Sequence, residues 1–282
     1  MFSEFAPAKI NLTLRVLARR ADGFHELSSL VAFADIGDQV SFTPSDHPGG
    51  DLRLDYAGRF GATLQTSLVG EDGVLAAARF ADPDASGVLC LEKNLPVMAG
   101  MGGGSADAAA VLRLFKRSGG GVSGRETAQL GSDVPVCLLS RAAWMSGRGE
   151  QVSGLASFPE CPAVLVNTGI AMPTGPVFEA LGRNNEYAAD EQAVPDGFAD
   201  LNTLFAYIRR HGNDLLAPAL SLAPEIGPLL DHISATGADI SAMSGSGATC
   251  FGLYKTQEQA EQAAADLKNI YPDGFVHAAL LS

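Results

Sequence analysis

Basic residues are scarce in this chain of 282 residues: nineteen Lys and Arg stand against thirty-two Asp and Glu, a net charge of −13. Nucleic-acid binding neutralises phosphates with a basic surface, so this balance excludes a nucleic-acid partner and leaves room only for a local basic pocket around a small anion. Long apolar runs are missing too. No stretch reaches the ~18 apolar residues of a membrane span, so no membrane partner is expected. The start, Met1-Phe2-Ser3-Glu4-Phe5-Ala6-Pro7-Ala8-Lys9, lacks a basic segment followed by an apolar one and does not read as a secretory signal. The four cysteines (Cys90, Cys137, Cys161, Cys250) form no C-x-x-C pair, and Cys90, Cys137 and Cys250 have apolar neighbours, which reads as reduced, buried thiols in a cytoplasmic protein. The five histidines (25, 47, 211, 232, 277) are dispersed and offer no zinc set.

What is present is a core. Hydrophobic residues make up 46% and charged residues 18%, which excludes intrinsic disorder. The 32 glycines and 15 prolines are about a sixth of the chain, below the level of a low-complexity sequence. Along residues 9–17, Ile10, Leu12, Leu14 and Val16 alternate with Lys9, Asn11, Thr13 and Arg15, the pattern of a half-buried strand. Further strands are expected at 28–35, 38–43, 51–57, 87–92, 162–167, 238–243, 248–254 and 274–280, with short extended pieces over 142–153. Helices are expected at 73–81, 106–116, 175–181, 225–235 and 257–269. Ala108, Val111, Leu112 and Phe115 recur at helical spacing in the second of these. Residues 44–50 and 183–200 read as loops, and Ser118-Gly119-Gly120-Gly121 as a helix stop. The class is α+β, with a soft boundary near 155–160.

One segment carries chemistry on its face. Residues 96–110 read Pro-Val-Met-Ala-Gly-Met-Gly-Gly-Gly-Ser-Ala-Asp-Ala-Ala-Ala, with Ser105 placed as an N-cap for the helix that follows. Glycines let a backbone come close to a ligand with its N–H groups inward, and a helix N-terminus adds partial positive charge there. The result is an anion site of nucleotide-phosphate type. No Lys follows the glycines, so the segment is not a Walker A loop, and Ser105 breaks a G-x-G-x-x-G fingerprint. The absence of H-R-D and D-F-G sets disfavours a protein kinase. A tight strand-to-helix turn is the plainer alternative.

These residues resemble the GHMP small-molecule kinases. Pro96 to Ala110 resembles their central motif, and the triple glycine is most similar to members whose acceptor is linked to cytidine diphosphate. Ala6-Pro7-Ala8-Lys9-Ile10-Asn11-Leu12 is similar to their opening strand, and Arg20-Ala21-Asp22-Gly23-Phe24-His25-Glu26-Leu27 to their substrate loop. Leu130-Gly131-Ser132-Asp133-Val134-Pro135 resembles their catalytic segment, and Ser244-Gly245-Ser246-Gly247-Ala248-Thr249-Cys250-Phe251 their third motif. The five stretches fall in the expected order across residues 6 to about 254. Phe24 stands where Tyr is common. Asp72 and Gly73 stand where an Asn-Leu pair is expected near adenine, and 116–130 is shorter than expected.

The resemblance implies a two-domain GHMP kinase fold: an N-terminal ribosomal-protein-S5-like domain over 1–155 and a C-terminal α/β sandwich domain over 156–282, with the active site in a cleft between them. It implies transfer of a phosphoryl group from ATP, with Mg²⁺, to a hydroxyl of a small cytidine diphosphate-linked substrate. ATP then falls to Pro96, Val97, Met98, Ala99, Gly100, Met101, Gly102, Gly103, Gly104, Ser105 and Ala106, with Gly245, Ser246 and Gly247 closing over them. Lys9 and Asp133 become the catalytic pair, Asp133 as base. Alone, Lys9 would read as a snorkelling surface lysine and Asp133 as a helix cap. Substrate contacts fall to Asn11, Phe24 and His25, and to Pro173 and Thr174 after a strand. Ser105 is a candidate Mg²⁺ ligand; no carboxylate stands out as one. Lys93 and Arg148 are candidates, with Lys9, for drawing an anion in. A homoserine- or mevalonate-type GHMP kinase and a non-catalytic nucleotide-binding protein remain alternatives, and monomer and homodimer are equally compatible.

Overall fold

The computed structural model describes all residues except 46–49, 68–71, 118–125, 185–186 and 188–193. The centre of the expected 44–50 loop and the Ser118–Gly121 stop, with most of the short 116–130 stretch, lie outside the described residues. The chain divides into two compact units, each built from separate stretches. One comprises Met1–Lys9, Ile36–Val97 and Gly102–Ser140; the other comprises Ile10–Asp35, Met98–Met101 and Arg141–Ser282.

The first unit takes most of β1 (Phe2–Asn11), the second half of β3 (His25–Pro44), and β4 (Leu52–Ala57) and β5 (Gly87–Glu92). β5 runs antiparallel to β3 and parallel to β4. Among the described residues its α-helices are α1 (Gly61–Ser67), α2 (Gly73–Ala81), α3 (Gly103–Arg117) and α4 (Val134–Leu139). The apolar stripe of α3 is buried, and the Phe115 ring lies 5.0 Å from that of Phe42 on β3. Arg113 on the same helix donates to Glu4 Oε1 at 2.8 Å and to the Cys137 carbonyl at 2.6 Å, fastening the start of β1 and the end of α4 to it. Asp72, the residue set against an adenine position, instead caps α2: it accepts from Val74 N at 2.6 Å and from the Tyr56 hydroxyl at 2.8 Å.

The second unit holds an antiparallel set in the order β3, β11 (Phe275–Leu281), β8 (Cys161–Asn167), β10 (Cys250–Leu253), β9 (Ile240–Met243). The first half of β3 also pairs with β2 (Arg15–Arg19) and β6 (Ala143–Gly147), and β6 pairs with β7 (Gln151–Gly154). Among the described residues its α-helices are α5 (Thr174–Asn184), α6 (Leu201–His211), α7 (Leu216–Leu222), α8 (Ile226–Ala235) and α9 (Gln257–Ile270). β8 is buried along its whole length, as expected for a strand covered on both faces.

Five expectations are corrected. The strands at 28–35 and 38–43 are one strand, β3, because Gly37 does not turn the chain; its missing Cβ admits the backbone of Ala6 and Pro7. The 9–17 strand breaks after Asn11, where Leu12 N and Thr13 N both donate to the Leu30 carbonyl, at 2.8 and 3.3 Å. Its polar face is also buried rather than exposed: Lys9, Asn11 and Thr13 are all buried. Ser105 is not an N-cap, since α3 already begins at Gly103. α6 and α7 fall in 201–222, where no element was expected, although Asp200 and Thr203 form a capping box at the start of α6.

Candidate active site

β1 presents Lys9 and Asn11 two residues apart, on one face of the strand. Lys9 is 3% exposed, so it does not snorkel. Its Nζ donates to Asp133 Oδ2 at 2.5 Å. Asp133 stands at the N-cap position of α4 but makes no side-chain cap bond there; its carboxylate is turned to Lys9, and the capping alternative falls away. Pro135, the second residue of α4, lies in the first turn, where no backbone donor is needed.

The Gly-rich loop meets this pair within the same unit. Gly102 has φ +61, and a Cβ on it would stand 3.2 Å from Lys9 Cβ and Cε. A Cβ on Gly131 would stand 3.4 Å from Ser105 Oγ. So the backbone that opens α3, the Ser105 hydroxyl and the Lys9–Asp133 pair lie together. Within the loop Met98, Gly100 and Gly102 have positive φ, while Gly103 and Gly104 form the first turn of α3. The leading N–H groups of a helix have no acceptor in the helix itself, which is the geometry an anion requires. Pro96 and Val97 are half-buried before the loop, Met98 is exposed, and Ala99, Met101 and Ala106 are buried.

In the second unit, loop residues 98–101 lie against the third motif. Thr249 N donates to the Ala99 carbonyl at 3.2 Å, and Ser244 Oγ donates to the Gly100 carbonyl at 2.9 Å. Gly100 is held so closely that a Cβ would be 2.6 Å from the Gly247 carbonyl oxygen. Gly245 and Gly247 both have positive φ. Asn213, which the sequence did not single out, donates through its amide to the Met243 and Gly245 carbonyls, both at 2.8 Å. Asn11 is 4% exposed and gives Nδ2 to Ser29 Oγ at 2.8 Å, while its backbone N–H donates to Ser244 Oγ at 3.1 Å. Thr174 Oγ1 is 3.1 Å from Ser246 Oγ, and Pro173 beside it is exposed.

Phe24 and His25 also belong to that unit. The His25 ring stacks on Phe178 with centroids 4.8 Å apart and approaches Tyr187 at 6.1 Å. Burial, with the positive charge of Arg19, lowers the His25 pKa from its ordinary value, so the ring is neutral at pH 7. Its Nε2 is buried and makes no hydrogen bond, one of two such side-chain atoms among the described residues. Phe24 is 53% exposed and carries the Arg148 guanidinium 4.4 Å from its ring centroid. Arg148, a candidate for drawing in an anion, thus lies against the expected substrate loop. Lys93 is not available to attract an anion: it is 2% exposed and ion-paired to Asp38 and Asp107. Phe178 and Tyr187 were missed, and their only signal was an aromatic in or after a helix. No group of three or more His, Cys, Asp or Glu among the described residues has the arrangement of a metal site.

Residues 72–141 match the GHMP kinases N terminal domain, and residues 193–273 match GHMP kinases C terminal. The chain belongs to the GHMP kinase family, ATP-dependent kinases of small molecules. Among its relatives, the 4-diphosphocytidyl-2-C-methyl-D-erythritol kinase of Parvibaculum lavamentivorans is 48% identical over 280 residues, 96% of this chain and 94% of the relative. The kinase of the same name from Paracoccus denitrificans is 44% identical over 99% of this chain and 96% of its own length. A solved structure of 4-(cytidine 5′-diphospho)-2C-methyl-D-erythritol kinase superposes with a TM-score of 0.80 at 32% identity, covering 100% of this chain and 99% of that one. L. major mevalonate kinase, solved with R-mevalonate, shares the fold at a TM-score of 0.64 and 14% identity, over 100% and 96% of the two chains.

Proposed function

We propose that this protein transfers the γ-phosphoryl group of ATP to the 2-hydroxyl of 4-diphosphocytidyl-2-C-methyl-D-erythritol, a step of isoprenoid precursor synthesis by the non-mevalonate route. The observation that carries the reading is near-full-length identity of 48% to a relative of that name. The site agrees with it. Asp133 takes the proton of the acceptor hydroxyl as its oxygen bonds to the γ-phosphorus, and the bond from that phosphorus to the β-phosphate oxygen breaks, releasing ADP. Such transfers depend on positioning and charge stabilisation more than on covalent chemistry. Lys9, buried beside Asp133, offsets negative charge on the transferring group. The N–H groups at the start of α3 hold phosphate oxygens, with residues 96–106 and 245–247 as the ATP-binding segments.

Asn11, Phe24, His25, Pro173 and Thr174 bind the acceptor. An exposed phenyl ring offers a face to cytosine, and a neutral imidazole with an unpaired buried nitrogen offers it a hydrogen bond. Mg²⁺ fits as an ion held by phosphate oxygens, water and the Ser105 hydroxyl, a donor set of hard oxygens. When bound, it neutralises charge on the phosphates. Residues 1–155 and 156–282 are taken as the two domains, and four free cysteines agree with a cytoplasmic setting. The test is ADP release with three acceptors offered separately: the cytidine diphosphate-linked methylerythritol, homoserine and mevalonate. Turnover is expected with the first alone. Turnover with either of the others would discard the roles of Phe24 and His25, and binding of ATP without turnover on any would favour a non-catalytic protein.

A further inference from the structure

A cluster of three buried charges lies outside the groups assigned above. Lys93, Asp38 and Asp107 are 2%, 0% and 2% exposed. Lys93 Nζ donates to Asp38 Oδ2 at 2.5 Å and to Asp107 Oδ2 at 2.7 Å. Burying three charges is costly, and such a cluster is weak evidence for stability as such. Its position is more informative. Lys93 ends the segment before the Gly-rich loop, and Asp107 sits one turn into the helix after it. A single ion pair therefore joins two residues 14 apart that bracket the loop.

Asp38 adds a second tie. Its Oδ1 accepts from Asn94 N at 2.5 Å and from Leu95 N at 2.8 Å, fixing the backbone that leads into the loop. The far side of the cluster meets the helix start directly: a Cβ on Gly103 would stand 2.9 Å from Lys93 Nζ. The ammonium thus lies against the first turn of α3, whose N–H groups face outward to phosphate in the proposed function.

We infer that Asp38, Lys93 and Asp107 form a buried clamp that sets the two ends of the Gly-rich loop and so positions the first turn of α3 for nucleotide phosphate, without touching the nucleotide. The inference rests on the proposed reading of that turn as the phosphate site. These are positioning residues. Burial raises the Asp107 carboxyl's pKa against the pull of Lys93, and the two carboxylates raise the Lys93 ammonium's pKa over the opposing effect of burial. Asp107 Oδ1 is buried without a hydrogen bond, so this carboxyl is held for its link to Lys93 rather than for a full set of partners.

The test uses Asp107→Ala and Asp107→Asn in the full chain. Asp107→Ala cuts the link across the loop yet leaves Lys93 paired with Asp38, so no buried charge is stranded. The KM for ATP is expected to rise by about tenfold while the KM for the acceptor stays within about twofold. Asp107→Asn keeps an acceptor oxygen for Lys93 and is expected to bring the ATP KM back to within about threefold of wild type. A purely structural role would lower the melting temperature and leave both KM values of the folded fraction unchanged. Folded Asp107→Ala with a wild-type ATP KM overturns the clamp, as does an Asp107→Asn that fails to restore it. If Asp107→Ala does not fold, Asp107→Ser, too short to reach Lys93, is read in the same way; failure of both to fold while Asp107→Asn folds with a wild-type ATP KM also overturns it and leaves the cluster structural. Hydrogen exchange on the wild-type protein separates the two readings. If ATP does not protect the amides of residues 103–106, the phosphate site itself is misplaced. Protection in the wild type with an unchanged KM in Asp107→Ala removes the clamp alone.

Discussion

Asp133 occupies the N-cap position of a helix that it does not cap, and this misuse of a good capping residue is what marks it. A carboxylate that satisfied α4 would be spent on backbone N–H groups; this one is bonded to a buried ammonium. Asp133→Asn keeps an oxygen for Lys9 but removes both the proton acceptor and the charge that compensates the buried ammonium. The expected result is a kcat lower by about 10²–10⁴ in a protein that still folds, with a lowered melting temperature, read by ADP release and circular dichroism. A kcat within about threefold of wild type would remove Asp133 as base. His25 supports a second expectation. Its folded pKa lies below the ordinary 6.5, from burial first and Arg19 second, so the neutral ring persists as pH falls to that value. The acceptor KM should stay flat from about pH 8 to about pH 6.5 and rise only below, as the ring gains its proton. A rise already complete above pH 7 would show that neutral His25 is not what the acceptor needs. At this scale the sequence was most legible where the residue type is unusual for its surroundings. Asp133 stood out as a charge in an apolar segment, while Lys9 was singled out only by the family resemblance, and the structure bonds them to each other across 124 positions. Asn213 and Phe178 did not stand out, because an Asn in a turn and a Phe on a helix are ordinary residues, and only the fold puts carbonyls on one and an imidazole on the other.

The long strand β3 shows why element boundaries were harder to read. Two strands were expected, at 28–35 and 38–43, and Gly37 lies between them, where a glycine suggests a break. The strand runs straight through it, since Gly37 is needed for the approach of β1 rather than for a turn. That reason lies in another strand and leaves no local trace. It does give a prediction. A Cβ at position 37 would collide with the Ala6 carbonyl and stand 2.8 Å from Pro7 Cα, and backbone cannot swing aside as a side chain can. Gly37→Ala should cost about 3 kcal/mol, the upper end of overpacking penalties. Gly73→Ala, at the first position of α2 with nothing within 4 Å of the added carbon, should be neutral or stabilising by up to about 1 kcal/mol. Urea denaturation of both variants checks the contrast, and equal midpoints would refute the close-approach account. Some helices were found almost to the residue: α2 is 73–81, as expected, and α9 begins at Gln257, as expected, behind the Thr256 capping box. α6 carries the same kind of signal, with Asp200 capping and Leu204, Phe205 and Ile208 buried, and was legible though unread.

At the scale of the molecule, the α+β class and the GHMP fold were legible because five glycine- and charge-bearing motifs occur in a fixed order, and order is a property of the whole chain. The interleaving of the two compact units was not legible. β1 and β3 each pass from one unit to the other within a single run of extended residues, and nothing in hydropathy marks the crossing at Lys9 or Ile36. Net charge is the other whole-molecule quantity, and it bears on kinetics. A protein at −13 must take up ATP and a diphosphate-linked acceptor, both polyanions. Two of the cations first considered for drawing them in are already compensated: Lys93 by two carboxylates and Lys9 by Asp133. The long-range field is therefore repulsive, and the attraction offered by Arg148 and the α3 terminus acts only at short range. Salt screens the first more than the second, since the Debye length falls from about 30 Å at 0.01 M to about 8 Å at 0.15 M. Raising monovalent salt over that range, with Mg²⁺ and ATP held fixed, should raise kcat/KM for the acceptor. A steep fall instead would mean that cations around the site dominate the field despite the net charge, and the Phe24–Arg148 pair would then be the first place to seek them, by Arg148→Gln under the same salt series.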